Sequence, residues 1–287
     1  MRFRVGLAQI APRLGDVAHN LQRHLALVEE AKAQGVDLLL FPELGLTGYS
    51  LKDLVPSVAI RPTDDDPIFR QLLAASMEID LVAGFIEESE RHVFYNAAAY
   101  LSAGRLVHLY RKVYLPTYGL FDEGRFWGSG DRLRAFDTRF GRMALLICRD
   151  VWHLSASYLA VMDGADTILA ISAAPGWGVQ EGQDRLSRAQ SWERLIRCLA
   201  QFLTCYYFYC NRVGWEDGVS FFGGSIAVAP GGRLLAQAPD LEEALVTATW
   251  DTAILRRVRS QSTFLRDERL DLTLRELQRI AQERLQA

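Results

Sequence analysis

Three short segments of this chain share one design, a buried strand that ends in a reactive side chain. They are Leu38-Leu-Leu-Phe-Pro-Glu43, Leu109-Tyr-Arg-Lys112-Val-Tyr-Leu-Pro116 and Ala144-Leu-Leu-Ile-Cys148-Arg-Asp150. Short apolar runs bounded by turn signals read as strands inside a sheet. In open sheets the chemistry gathers at the C-terminal edges of such strands.

The first segment completes a β-α-β unit. Residues 3–10 are apolar and β-branched and stop before Pro12. Asp16 or Asn20 caps the next helix, which has apolar positions at Leu21, Leu25, Val28 and Ala31 and ends at Gly35. Residues 36–41 form a buried strand closed by Pro42, and the whole unit implies a sheet covered by helices. Beyond it, residues 45–61 read as loop, 64–66 open a helix to about Met77, and 81–86 are a strand. Residues 93–101 and 105–110 form a hairpin through Ser102-Ala-Gly104. Residues 115–130 are rich in Pro, Gly and aromatics without periodicity, and a loop of that length is usually functional. Then come a strand at 142–147, a helix at 155–162, a strand at 167–171, a loop at 175–182, a helix at 183–203 and a strand at 205–210. Strand-like runs 219–229 and 234–237 flank Pro230-Gly-Gly232, and 245–250 is the last strand. Residues 270–285 are an Arg/Glu-rich amphipathic helix whose charges form a solvated face. Hairpins interleaved with β-α-β units imply a mixed sheet or a pair of sheets. Residues 1–265 read as one domain and 266–287 as a helical tail.

Composition narrows the function. Lys+Arg is 32 and Asp+Glu 35, a net charge of −3, so no basic field invites nucleic acid. The apolar N-terminal stretch is too short for a signal peptide. The longest apolar run, residues 202–210, is too short to span a bilayer. Four cysteines in 287 residues make no disulfide framework. A cytoplasmic protein without a membrane or nucleic-acid partner is the expectation.

Several chemistries lack their residues. There is no phosphate-binding G-x-x-x-x-G-K-[ST] loop and no G-x-S-x-G elbow. Gly176-Trp-Gly178-Val-Gln-Glu-Gly182 misses the dinucleotide fingerprint by one residue and reads as a loop. His19, His24, His92, His108 and His153 are scattered, and with no C-x-x-C present a zinc site is not expected.

Glu43, Lys112 and Cys148 remain as a coherent set. A cysteine needs a partner to become a thiolate, and a carboxylate can take its proton. A lysine ammonium can lower the thiol pKa and neutralise an oxyanion. Only Lys32, Lys52 and Lys112 are lysines, every other basic residue being arginine, so a retained lysine suggests need of a compact ammonium. For Lys32 and Lys52 a plain surface role suffices. Taken singly, Cys148 reads as an inert buried thiol, as do Cys198, Cys205 and Cys210. Glu43 alone reads as a cap or surface pair, and Lys112 as a strand flank.

The three segments with their flanks resemble the carbon–nitrogen hydrolases of the nitrilase superfamily. The resemblance rests on Phe41-Pro-Glu43, Arg111-Lys112-Val-Tyr-Leu-Pro116, Cys148-Arg-Asp-Val-Trp152 and the Ser191-Trp-Glu-Arg-Leu-Ile-Arg197 segment leading to Asn211, and it covers Val5 to about Trp250. The stretch from Tyr114 to Trp127 and Leu46-Thr-Gly-Tyr-Ser-Leu-Lys-Asp-Leu54 look most like the glutaminase part of glutamine-dependent NAD synthetases. A chain of this length leaves no room for a synthetase domain, so a stand-alone relative is expected.

The resemblance implies a four-layer α-β-β-α sandwich with mixed sheets, assembled as a homodimer or larger homo-oligomer. It implies Cys148 as nucleophile, Glu43 as general base and Lys112 as oxyanion stabiliser together with the Arg149 backbone N–H. Glu123 falls where the family carries a second glutamate that positions substrate or lysine, the alternative being a loop carboxylate paired to Arg125. Tyr118 and Arg149 fall on the substrate side. No cofactor and no metal is implied. The expected function is cleavage of the C–N bond of a small linear amide or ureide through a thioester. The alternatives are a glutaminase feeding a separate NAD synthetase and a catalytically silent interaction module. In those glutaminases the residue after the nucleophile is typically an acid, suited to a substrate ammonium. Arg149 reverses that sign and favours a substrate carboxylate, unless it turns away to pair with Asp150 or another acid.

Overall fold

The Val36–Phe41 region illustrates how the chain builds its layers. Leu38, Leu39 and Leu40 are all fully buried, so this strand has apolar neighbours on both faces. The computed structural model describes residues 1–176 and 185–286. Its strands, in chain order, are β1 (Arg2–Gln9), β2 (Leu38–Leu40), β3 (Asp80–Glu88), β4 (Phe94–Ser102), β5 (Arg105–Arg111), β6 (Ala135–Thr138), β7 (Gly141–Ile147), β8 (Thr167–Ser172), β9 (Tyr206–Asn211), β10 (Val213–Glu216), β11 (Val219–Phe222), β12 (Ile226–Val228), β13 (Leu234–Gln237) and β14 (Ala244–Asp251). Twelve of them form two six-stranded mixed sheets, ordered β14-β1-β2-β3-β4-β5 and β13-β12-β9-β8-β7-β6, while β10 and β11 pair with each other alone. β1, β2 and β3 are parallel, as are β7, β8 and β9, and antiparallel strands complete each sheet.

Helices close the outer faces, giving the expected α-β-β-α sandwich. The Val17–Ala33 and Pro67–Ala75 helices lay Leu21, Leu27, Val28, Phe69 and Leu72 against Leu39, Phe41, Leu81 and Phe85 of the first sheet. The Leu154–Met162 and Ser187–Phe202 helices cover the second sheet with Ala156, Trp192 and Ile196. β9 shows the alternation. Cys210 faces inward, its Sγ 3.5 Å from the Ala8 carbonyl and 3.3 Å from that of Leu40. Tyr209 faces outward and stacks on Trp192 at 4.7 Å.

The local signals acted largely as read. Asp16, not Asn20, caps the first helix, accepting from His19 N at 3.1 Å. Asn20 is buried in the first turn, donating to the carbonyls of Arg13 and Leu46. Asp66 caps the second helix through Ile68 N and Phe69 N. The β4–β5 hairpin turns through Ala103 and Gly104, both at positive φ. Four details differ. β6 was not expected, being only a short edge paired to β7. The 219–229 run breaks at Gly223 and Gly224, which sit at φ 71° and 62°, and β11 pairs with the unexpected β10. The loop at 45–61 contains short helical turns at Lys52–Leu54 and Val55–Val58. Cys198 is exposed on its helix, not buried as Cys205 and Cys210 are. Lys32 and Lys52 hold surface carboxylates, as expected. Of the 175–182 loop, only Pro175 and Gly176 are among the described residues, so Trp177-Gly178 through Gly182 lie outside them, as do Gln183 and Asp184.

Candidate active site

Glu43, Lys112 and Cys148 arrive from different strands at one edge of the sandwich. Glu43 follows β2 on a tight turn in which Leu44 takes φ 52°. That turn lies flat on β3 because residue 84 is glycine: a Cβ there would meet Pro42 O at 2.5 Å and Leu44 N at 2.8 Å. Lys112 follows β5 and is anchored by Lys112 N donating to Asn96 O and by Gly130 N donating to Lys112 O. A Cβ on Gly130 would meet Arg111 O at 2.1 Å, so this approach also requires glycine. Cys148 directly follows β7 at φ 45°, the left-handed region that residues other than glycine adopt only at a cost.

The Lys112 ammonium sits between two carboxylates. Its Nζ is 2.7 Å from Glu43 Oε1 and 2.7 Å from Glu123 Oε1, with the lysine side chain 0% exposed. Burial opposes its charge, but Glu123 and Glu43 outweigh that and hold its pKa above the ordinary lysine range. Lys112 is therefore a fixed cation. Glu43 also accepts from Asn96 Nδ2 at 2.8 Å and from Ala173 N at 2.5 Å.

Glu123 is buried on the Glu123–Phe126 turn and bonds Lys112, not Arg125, which lies 3.8 Å from Asp122. Its Oε1 also accepts from the Tyr49 hydroxyl at 2.5 Å, and its Oε2 is buried with no hydrogen-bond partner among the described residues. Burial raises its pKa to about 7, against the opposing pull of Lys112. Tyr49 is wedged edge-on against Phe121, Trp127 and Phe221. Its backbone N donates to Glu216, which pairs with buried Arg212 at 2.6 Å.

Burial pushes the Cys148 thiol up to about 12; the Glu43 charge adds to this and the Lys112 charge opposes it. The resting residue is a neutral thiol beside a base and a cation. Such a thiol becomes nucleophilic only as its proton leaves. Asp150 fixes the turn. Its carboxylate accepts from Ile147 N, Val113 N, Tyr114 N and the Tyr110 hydroxyl, tying the Cys148 turn to the segment that follows Lys112. Burial lifts Asp150 to about 6.

Arg149 and Tyr118 stand apart from this cluster. Arg149 does not pair with Asp150; its Nη1 donates to the Tyr118 hydroxyl at 2.9 Å, and Tyr118 is half exposed. Its charge acts on His153, which stacks on Tyr114.

Sequence reading missed Asn96, Tyr49 and Asp150. Asn96 is a fully buried amide inside β4, and a polar side chain followed by an apolar run was a legible signal. Tyr49 and Asp150 lay inside quoted motifs with nothing local to distinguish them. Among the described residues no group of three or more His, Cys, Asp or Glu side chains is placed to hold a metal ion. No helix among them is long and apolar enough to cross a membrane.

Comparison with known proteins identifies the family. The carbon-nitrogen hydrolase family profile matches residues 4–260. The glutamine-dependent NAD(+) synthetase of Acinetobacter baylyi is 31% identical over 251 residues, covering 87% of this chain and 44% of the synthetase, so the chain spans less than half of that relative. A carbon-nitrogen hydrolase from Helicobacter pylori G27 superposes with a TM-score of 0.84 at 25% identity, covering 96% of this chain and 99% of the other. An amidase from Nesterenkonia sp. AN1, solved as a double mutant with acrylamide, gives a TM-score of 0.79 at 25% identity, covering 96% and 97%.

Proposed function

The chain belongs to the carbon-nitrogen hydrolase family of the nitrilase superfamily, and on that premise we propose that it is a cysteine-dependent amidohydrolase cleaving the C–N bond of a small linear amide or ureide. The observation that carries this is the buried Lys112 ammonium, held by Glu43 and Glu123 beside the Cys148 thiol.

Because the thiol rests protonated, its proton passes to Glu43 as sulfur bonds to the amide carbon. The carbonyl oxygen becomes an oxyanion, which Lys112 neutralises together with the Arg149 backbone N–H. Collapse expels ammonia or an amine, protonated from the acid that Glu43 has become, and leaves a thioester on Cys148. Glu43 then activates water, and hydrolysis returns the thiol. Glu123 keeps Lys112 in place, held in turn by Tyr49. Residues 1–265 carry this chemistry in one domain, and the protein acts in the cytoplasm as a homodimer or larger oligomer.

A glutaminase supplying ammonia to a separate NAD synthetase is the second reading, favoured by the similarity to NAD(+) synthetase. Arg149 weighs against it, since its charge repels a substrate ammonium. A silent scaffold is disfavoured, because three buried ionisable groups burden a fold that does not use them. The test is ammonia release from a panel of small amides, ureides and nitriles, with Cys148→Ala as control. Release by wild type and none by the variant supports the reading; equal release by both overturns it.

A further inference from the structure

Two hydroxyls beside the nucleophile have no role in the chemistry above. Ser172 ends β8 and Tyr209 lies on β9, and both are fully buried. Neither Ser172 Oγ nor the Tyr209 hydroxyl has a hydrogen-bond partner among the described residues. A buried hydroxyl left unpaired costs on the order of 1–3 kcal/mol, so native proteins retain few of them.

Their placement follows from register. Ile147 pairs with Ile171, so Cys148 and Ser172 leave neighbouring strands side by side. Tyr209 pairs with Ala170, two residues before Ser172 on the same face, so phenol and hydroxyl are diagonal neighbours. Ser172 Oγ lies close to both the Cys148 thiol and the Tyr209 hydroxyl and favours the charged form of each. Cys148 and Glu43 both lie near enough for a charge on either to act on Tyr209, whose ring is pinned against Trp192. Burial keeps the phenol proton in place.

We propose that Ser172 and Tyr209 hold the water that hydrolyses the acyl-enzyme, aiming it at the carbon bonded to Cys148 and within reach of Glu43. The inference rests on the thioester reading. Each hydroxyl can both donate and accept, and a buried water is held by about two to four such partners. Neutral hydroxyls suit water better than an oxyanion, for which the site already has Lys112. In the step, the water oxygen bonds to the acyl carbon while one of its protons passes to Glu43. The carbon–sulfur bond then breaks with its electron pair on sulfur, Glu43 returns the proton there, and a carboxylic acid leaves. Ser172 and Tyr209 are positioning residues and exchange no proton with the substrate.

The test separates the two half-reactions. p-Nitrophenyl acetate acylates a nucleophilic thiol whatever its natural substrate, releasing p-nitrophenolate in a burst whose rate reports acylation, while the steady state reports deacylation. Ser172→Ala and Tyr209→Phe should each keep the burst rate of wild type and slow the steady state about tenfold or more, as expected for a misplaced reactant. The kcat and KM values should fall together, leaving kcat/KM nearly unchanged. Intact-mass spectrometry should show the acetylated protein accumulating. Melting temperature should stay near that of wild type in Tyr209→Phe, whose ring keeps its stack on Trp192. Slower bursts in both variants would overturn the inference and move the hydroxyls to the oxyanion or substrate. Unchanged steady-state rates in both would overturn it as well. Failure of wild type and of both variants to show any acetylated Cys148 by intact-mass spectrometry during turnover would overturn the acyl-enzyme reading itself, and the inference with it.

Discussion

The Glu43 carboxylate and the Lys112 ammonium meet at 2.7 Å with neither side chain exposed to solvent. A lysine so held cannot swing to find a substrate; its charge is fixed before anything binds. Arginine carries the same charge on a larger planar head. Lys112→Arg should therefore lose kcat/KM by about a hundredfold or more, the scale of losing an oxyanion donor. Lys112→Met should leave two buried carboxylates without their cation and destabilise the fold by roughly 3–5 kcal/mol. Kinetics and chemical denaturation check both, and an arginine variant near wild-type activity would remove Lys112 from the reacting centre.

Glu123 makes stability depend on pH. Burial raises its pKa from the usual 4.5 to about 7, so the folded chain binds that proton more tightly than the unfolded one. Its contribution to stability is complete below about pH 4.5 and is lost as pH rises through about 7. Glu123→Gln does not titrate. The melting temperature of wild type minus that of the variant should fall steadily across this window. A difference that is flat or rises with pH is the contrary result.

Arg149 should read substrate charge. Its guanidinium is bonded to a half-exposed tyrosine and to no acid among the described residues, so it remains available to a carboxylate. Wild type should prefer an amide that carries a carboxylate and no nearby amine, such as an ω-amidated dicarboxylate or an N-carbamoyl acid. Arg149→Glu should lower kcat/KM for that substrate and raise it for glutamine. If wild type already prefers glutamine, or the exchange leaves the preference unmoved, the glutaminase reading gains.

The Leu270–Gln286 helix should matter to assembly or stability before chemistry. Leu270, Leu274 and Leu277 are each exposed by half or more. Truncation after Asp267 also removes Glu268, which accepts from the Tyr158 hydroxyl at 2.8 Å. Light scattering and melting should change while kcat per folded site persists. Unchanged assembly and stability with lost activity would count against this.

How far the sequence carried the reading differs by level. Glu43, Lys112 and Cys148 were legible because each interrupts or ends an apolar run, and ionisable side chains are seldom left at such places without use. Glu123 was identified by resemblance to a family, its own neighbours suggesting only a pair with Arg125. Asp150 was read as a possible partner for Arg149, whereas four donors claim it, three of them from the distant 110–114 segment, which only tertiary contact brings near. Ser172 and Tyr209 look ordinary in sequence; their isolation from protein partners emerges when β7, β8 and β9 are set in register. Strands failed where they were short or kinked, as with β6 and the glycine break after β11, because edge pairing leaves little periodic trace.

The left-handed backbone at Cys148 has a consequence for anyone engineering this protein. At φ 45° a cysteine is strained by roughly 1–3 kcal/mol, and glycine would relax it. Cys148→Gly should thus raise thermal stability while abolishing the nucleophile. A library screened only for heat resistance would be drawn toward inactive sequences at this one position, and selection must include turnover at every round to keep the cysteine.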